Sequence, residues 1–351
     1  MRRGALFSLP ICLGLIASVA VSAGHSSATS LKPIAAAHTH ALIRVVVATG
    51  FIPNVEFAPY YVAQDLGYYR AEGLNITMNY DRVSNLMSAV GSGQYDFGVS
   101  TGDTVAIAKS QGAPVTYVMA QYQKYPVGAM MLKEGGRMPK RPSDLKGLHI
   151  GISIPGSSTD IGLRALLQAG GLTENDVKVS AIGFTETEAL IGKQIDVAMT
   201  YVDNEPVQAA ALGHPVNVLA VSRYLELVST GVVTSTRNVK QHAALVQKFV
   251  TATLRGLRYA LKHPARAFTI SMKRQPEVVE PAQRKIQRDV LTQRLTFQQP
   301  PKGHPLGWSD PAAWRTTIQF LRSIGSINHG VTVKSVYTSI FTNTFATRAR
   351  A

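Results

Sequence analysis

The hydrophobic pattern of this chain changes period again and again after residue 41. Short continuous apolar runs alternate with segments whose apolar positions recur every three or four residues. The first run, Leu42 to Ala48, reads as a buried parallel strand. Gly50 and Pro53 break it, and an aromatic-rich helix follows, ending near Gly67. Further strands are predicted at Leu74 to Tyr80, Tyr95 to Val99 and Val115 to Ala120, with helices at Val83 to Val90 and Thr104 to Ser110. A second series then begins. It has strands at Leu148 to Ile152, Val177 to Ile182, Ile195 to Thr200 and Val216 to Ala220. Its helices span about Asp160 to Ala169, Glu186 to Ile191 and Pro206 to Leu212. Short strands alternating with helices predict βαβ units and largely parallel sheets.

The two series read as one unit written twice. Glu72-Gly73-Leu74 leads to a strand, a helix and then Gln94-Tyr95-Asp96-Phe97-Gly98-Val99-Ser100-Thr101. Gly170-Gly171-Leu172 leads to the same order and then Gln194-Ile195-Asp196-Val197-Ala198-Met199-Thr200-Tyr201. Asp96 aligns with Asp196, and both are expected to bond local turns rather than ligand. Two units with one order of elements predict two lobes of similar topology.

The last third is helical. A strand from Gly231 to Thr236 precedes a long helix from Val239 to about Lys262, with Asn238 and Gln241 spaced as a capping box. Leu245, Phe249, Leu254, Leu257 and Leu261 form its apolar stripe, which is core in character. Shorter helices are predicted at Pro264 to Met272, Glu277 to Leu291 and Pro311 to Ile324. Trp308 and Trp314 are expected to pack structurally, and the tail from Thr342 to Ala351 to fray.

Composition adds a leader and removes several chemistries. Arg2 and Arg3 precede an apolar run from Ala5 to Val21, and Val21-Ser22-Ala23 has the small-residue pattern of a signal-peptidase site. Residues 1–23 are therefore read as an export signal, and residues 24–41, with His25, His38 and His40, as a flexible spacer. No later stretch is long enough and apolar enough to span a membrane. The single cysteine, Cys12, lies inside the signal, so the mature chain is expected to hold no disulfide and no cysteine-bound metal. The 36 Lys and Arg against 21 Asp and Glu give a net charge of +15, scattered and mildly concentrated between Arg255 and Arg294. Basic residues at helical spacing there read as a solvated face. No zinc-finger, RNA-binding or basic-arm signature is present, so no nucleic-acid partner is expected.

Candidate chemistry lies where the predicted strands end, because open α/β sheets bind ligands at the carboxyl ends of their strands. The first loop carries Phe51, Asn54 and Tyr60, which contain no nucleophile–base pair and point to binding rather than catalysis. If the two lobes face each other, Thr101, Gly102 and Asp103 meet Tyr201, Asp203, Asn204 and Glu205 across one cleft. Each position has a structural alternative: Asp103 as a helix cap, Asn204 as the cap of the helix that Pro206 starts, and Glu205 as a dipole partner at that helix start. Gly156-Ser157-Ser158-Thr159 offers hydroxyls and backbone donors, with Ser157 and Ser158 as candidates, and Tyr122 adds another ring. Carboxyl groups beside aromatic rings suit a flat, neutral, donor-bearing heterocycle and repel an anion.

Phe51-Ile52-Pro53-Asn54, the run Tyr61-Val62-Ala63-Gln64-Asp65-Leu66-Gly67-Tyr68-Tyr69, Glu72-Gly73-Leu74 and Tyr201-Val202-Asp203-Asn204-Glu205-Pro206 together resemble one group of periplasmic substrate-binding proteins of ABC importers. It contains binding proteins for riboflavin and for thiamine pyrimidine precursors, with aliphatic-sulfonate binders as cousins. The likeness runs from about Ile43 to Met272. It implies a two-lobed type II α/β fold with a hinge crossed twice: residues 42–128 and 231–341 in the first lobe, 129–230 in the second. It also implies an exported monomer that captures a flavin or pyrimidine and delivers it to a membrane permease, with no cofactor, metal or catalytic residue. The wording of Phe51-Ile52-Pro53-Asn54 and of Tyr122-Gln123-Lys124-Tyr125-Pro126 leans towards riboflavin. Two alternatives remain: an aliphatic-sulfonate binder, and an enzyme like the fungal thiamine pyrimidine synthases. The latter carry a cysteine-rich motif, from which this sequence departs by having no cysteine after Cys12.

Overall fold

The computed structural model describes residues 41–81, 85–134 and 139–348. The expected signal, Cys12 and all but the last residue of the spacer lie outside the described residues. Among the described residues, ten strands build two sheets of five. β1 (Ile43–Ala48), β2 (Leu74–Asn79), β3 (Phe97–Thr101), β4 (Val115–Ala120) and β10 (Thr230–Ser235) form the first, in the order β2-β1-β3-β10-β4. β5 (Val127–Leu132), β6 (His149–Ile152), β7 (Lys178–Ala181), β8 (Val197–Tyr201) and β9 (Val216–Ala220) form the second, in the order β7-β6-β8-β5-β9.

The orders match element for element, so the duplication read in the sequence is a duplication of topology. In each sheet a single strand runs against the others, and it is the one that enters from the other half of the chain. β10 is antiparallel to β3 and β4, and β5 is antiparallel to β8 and β9. The chain therefore crosses between sheets twice, through residues 121–126 and 221–229. β5 was not expected. Its sequence, Val-Gly-Ala-Met-Met-Leu, lacks the β-branched run that marks β1, and Gly128 interrupts it. That glycine is needed: a Cβ there would come within 2.6 Å of Val202 Cγ1 and 2.8 Å of the Leu219 carbonyl.

The aligned aspartates do the same work in both halves. Asp96 Oδ2 accepts the Val46 N–H at 2.8 Å, and Asp196 Oδ2 accepts the His149 N–H at 2.8 Å. The reciprocal backbone bonds, Asp96 N–H to the Val46 carbonyl and Asp196 N–H to the His149 carbonyl, close each pair. Each aspartate thus ties its own strand to the first strand of its unit, rather than bonding within a local turn.

Among the described residues, fourteen α-helices surround these sheets. α1 (Ala58–Asp65) and α2 (Tyr68–Ala71) follow β1, α3 (Leu86–Ser92) precedes β3, and α4 (Gly102–Ser110) follows it. α5 (Ser158–Ala169), α6 (Glu186–Ile191) and α7 (Glu205–Ala211) serve the second sheet. The predicted long helix is two: α8 (Thr236–Gln241) and α9 (Ala243–Lys262). The expected capping box is not formed, because Ser235 takes the capping role by accepting the Asn238 N–H at 3.1 Å. The Asn238 amide turns back to Thr234 Oγ1 and the Asp96 carbonyl. α10 (Pro264–Met272), α11 (Pro281–Gln298), α12 (Pro311–Ser323), α13 (Val333–Val336) and α14 (Ile340–Arg348) complete the set.

α9 is the beam of the first half. Its apolar stripe buries Phe249, Leu254 and Leu257, and Phe249 stacks on Phe97 of β3 at 3.9 Å between ring centroids. α14 corrects the expectation of a frayed end. Residues 342–348 are helical, with Phe341 and Phe345 buried and the Arg258 guanidinium over the Phe345 ring, so apolar anchoring outweighs terminal entropy. Trp314 is fully buried between Tyr117 and Tyr337, whereas Trp308 is half-buried and stacks on His304. Among the described residues no helix is long and apolar enough to cross a membrane.

Candidate ligand-binding site between the two sheets

Side chains from the two halves meet at the carboxyl ends of the duplicated strands. Thr101, closing β3, places its hydroxyl 2.7 Å from that of Ser158 at the start of α5. Phe51, in the loop after β1, meets Phe184, after β7, edge to face at 5.6 Å. Arg294 of α11 lies 3.6 Å from Asp203, in the loop after β8, measured from Nε to Oδ2. These three contacts bring the halves together around a polar centre.

Arg294 organises that centre. It is 1% exposed, although the basic pattern around it read as a solvated face. Its Nη1 donates to Glu56 Oε2 at 2.8 Å and to the Tyr122 hydroxyl at 2.9 Å. Burial by itself would favour the neutral guanidine, but Asp203, Tyr122 and Glu56 outweigh it and hold the group charged. Glu56 is pushed up by burial, and Arg294 pulls it partly back. Neither Glu56 nor Arg294 was singled out from sequence as a site residue. Glu56 sits two positions past Asn54 in the first loop, and that position was the only signal available.

Asp103 is completely buried, and its oxygens are occupied. Oδ1 accepts the Thr104 N–H at 2.6 Å and, more weakly, the Ser158 hydroxyl at 3.4 Å; Oδ2 accepts the Tyr125 hydroxyl at 2.5 Å. Burial raises its pKa against those hydrogen bonds. Glu205 is used in a similar way. Its Oε2 accepts the Thr200 hydroxyl and, at 3.0 Å, the Tyr201 N–H, while Oε1 accepts the Asn204 amide at 2.6 Å. Burial raises the Glu205 pKa, with the Thr200 bond acting against it.

The remaining sequence candidates divide. Tyr122 belongs to the polar centre, as do Thr101, Ser158 and the loop from Tyr201 to Glu205. Tyr60 does not project into it: its ring packs among Phe57 and Phe249, and its hydroxyl donates to Gln121 Oε1 at 3.0 Å. Asn54 is buried and spends its Oδ1 on the Glu56 N–H, starting the short turn from Val55 to Phe57. Gly102 is a packing glycine, where a Cβ would meet Val228 Cγ1 at 2.4 Å. Ser157 stays with its own loop, its hydroxyl 2.8 Å from Thr159 and 3.3 Å from Ser153. Just ahead of α5, the Gly156 N–H donates to Asp160 Oδ2 at 2.8 Å, and Asp160 sets a carboxyl group in the first turn of that helix. Among the described residues no group of three or more His, Cys, Asp or Glu side chains is placed to hold a metal ion.

Two topologically matched α/β halves, joined by two crossings and meeting at their strand ends, define a two-lobed protein of the periplasmic-binding type. The periplasmic aliphatic sulphonate binding protein SsuA of Escherichia coli superposes with a TM-score of 0.65, at 16% identity, over 84% of this chain and 92% of its own. The chain itself belongs to the NMT1/THI5-like family, which it matches over residues 54–267. Riboflavin-binding protein RibY of Chloroflexus aurantiacus is 36% identical over 305 residues, 86% of each chain. A formylaminopyrimidine-binding protein of Halalkalibacterium halodurans is 24% identical over 87% of this chain and 92% of its own. A 4-amino-5-hydroxymethyl-2-methylpyrimidine phosphate synthase of Aspergillus parasiticus is 27% identical over 69% of this chain and 74% of its own.

Proposed function

We propose that this protein is the extracytoplasmic solute-binding component of an ABC importer. It captures a flat, neutral heterocycle between its lobes and hands it to a membrane permease. Riboflavin is the first ligand we assign, and an aminopyrimidine precursor of thiamine the second. The observation that carries the reading is the polar centre around Arg294 and Asp203, which draws its groups from both halves. Rings accompany it: Phe51 and Phe184 meet from the two halves, Tyr122 accepts from Arg294, and Tyr201 ends β8 just before Asp203. A ligand held there touches both lobes at once, which is how a binding protein couples occupancy to closure. The likeness to a riboflavin-binding protein over most of both chains supports the same choice.

A sulfonate suits the site poorly. Glu56, Asp103, Asp203 and Glu205 outnumber the single guanidinium, and Asp160 sets a further carboxyl group in the first turn of α5. We assign no catalytic residue, and the synthase reading lacks the cysteine-rich motif on which it would rest, since Cys12 is the only cysteine. Export rests on the leader at Arg2 and Arg3 and the Val21-Ser22-Ala23 site, and with it a periplasmic or cell-surface location. Calorimetric titration of the mature chain with riboflavin, with an N-formylated aminopyrimidine and with taurine tests the assignment. Binding of either ring at micromolar strength or better, about 8 kcal/mol, is expected, with no heat from taurine. Silence from both rings, or tighter binding of taurine, overturns it.

A further inference from the structure

We infer that Asp203 and Arg294 read the hydrogen-bonding edge of the ligand. The class of molecule this selects is a ring whose edge carries an N–H donor next to a carbonyl or ring-nitrogen acceptor. This rests on the function proposed above and narrows it.

Asp203 is 0% exposed, and neither of its carboxyl oxygens has a hydrogen-bond partner. Arg294 is 1% exposed, and its Nε likewise has none, although Nη1 is committed to Glu56 and Tyr122. Buried polar groups are nearly always paired, and an unpaired charged one is costly, so such a set calls for an explanation. The two residues do not satisfy each other. Their 3.6 Å separation is longer than any hydrogen bond, whereas an arginine–carboxylate pair built for stability closes to about 2.7–2.9 Å, often through two parallel bonds. An acceptor and a donor thus stand side by side, one from each lobe, each with unused capacity.

The complement of that pair is an edge presenting a donor to Asp203 and an acceptor to the Arg294 Nε–H. The imide edge of an isoalloxazine has this pattern, with a ring N–H between two carbonyls. So has a 4-aminopyrimidine, with its amino group beside a ring nitrogen. A sulfonate group offers acceptors only, and an alkanesulfonate without an amine leaves Asp203 unpaired. Losing one such bond when the site is otherwise unchanged typically reduces affinity by about five- to 150-fold.

The test compares riboflavin with 3-methylriboflavin, and the 4-aminopyrimidine with its 4-dimethylamino analogue, by calorimetry on the full mature protein. In the unaltered protein the methylated member of a bound pair should bind at least about fivefold more weakly. In Asp203→Ala and Asp203→Leu that ratio should shrink to within about threefold, because the discriminating acceptor is gone. Melting curves confirm that each variant is folded, and the comparison in unaltered protein needs no variant. Equal binding of the methylated and unmethylated rings overturns the inference while leaving the proposed function intact. A ratio that persists in both folded Asp203 variants does the same. If neither parent ring binds, the proposed function itself fails and takes this inference with it.

Discussion

The Thr101 hydroxyl lies 2.7 Å from the Ser158 hydroxyl, although Thr101 ends a strand of the first sheet and Ser158 opens α5, which serves the second. Ser158 also reaches a third group: Asp103 accepts from Ser158 and from the Tyr125 hydroxyl, whose proton is shared with the Ser158 carbonyl at 3.1 Å. Tyr125 lies on the first crossing between the sheets. The cluster therefore couples the crossing to the contact between lobes. Tyr125→Phe leaves the fully buried Asp103 short of its best donor, and a loss of about 1–3 kcal/mol is expected. Urea unfolding measures it. Stability within about 0.5 kcal/mol of the parent would mean that the short contact contributes nothing.

Glu205 accepts three bonds from its own loop, from Thr200, Tyr201 and Asn204. That geometry makes it the clamp shaping the loop that carries Asp203. Glu205→Gln keeps the volume but replaces one acceptor with a donor facing donors. A stability loss of about 1–3 kcal/mol is expected, with ligand affinity changed by less than about threefold. A tenfold loss of affinity without loss of melting temperature would instead make Glu205 a direct ligand contact.

Glu186, in the first turn of α6, is buried, and its pKa is pushed up to about 8 by that burial and by the nearby Glu205. The folded chain thus holds a proton there that the unfolded chain releases near the ordinary 4.5. Its contribution is full below that value and is lost as pH rises through about 8, so stability falls across the window. Glu56, Asp103 and Glu205 are raised in the same direction and add to the slope. Glu186→Gln should therefore flatten the decline between pH 6 and 8.5 by about 1–2 kcal/mol. Denaturant titrations at the two pH values check this, and an unchanged slope would rule Glu186 out as its source.

Gly256, in the middle of α9, lets α1 approach closely. A Cβ there would stand 2.1 Å from the Pro59 carbonyl oxygen and 2.9 Å from Ala63 Cβ. In an exposed helix, alanine in place of glycine would gain about 1 kcal/mol. Here the helices must separate, and overpacking of this kind costs about 1–3 kcal/mol or more. Gly256→Ala is expected to lower the melting temperature measurably, against its helix propensity. A gain would show that the two helices part without penalty.

The sequence by itself determined the alternation of strands and helices, β5 excepted, and the duplication. Those are local facts. Hydrophobic period, Gly and Pro punctuation and the paired aspartates each report on a few neighbouring residues, and Pro264 to Met272 is helical over the very span expected. The family resemblance rested on such local motifs too. Only the tertiary structure decided which polar groups face one another. Arg294 resembles any basic residue on an amphipathic helix until folding sets it against Glu56, 238 positions away, and Tyr122, 172 away. Tyr60 and Asn54 look like binding groups in a promising loop, yet nearby acceptors and donors use them within the first lobe. β5 stayed hidden for a related reason: it is a strand because β8 and β9 lie on either side of it, and its own six residues say little. Secondary structure follows from what each residue does to its neighbours in the chain. A site assembled from two lobes follows from desolvation and pairing between residues far apart in sequence, and no local pattern records that.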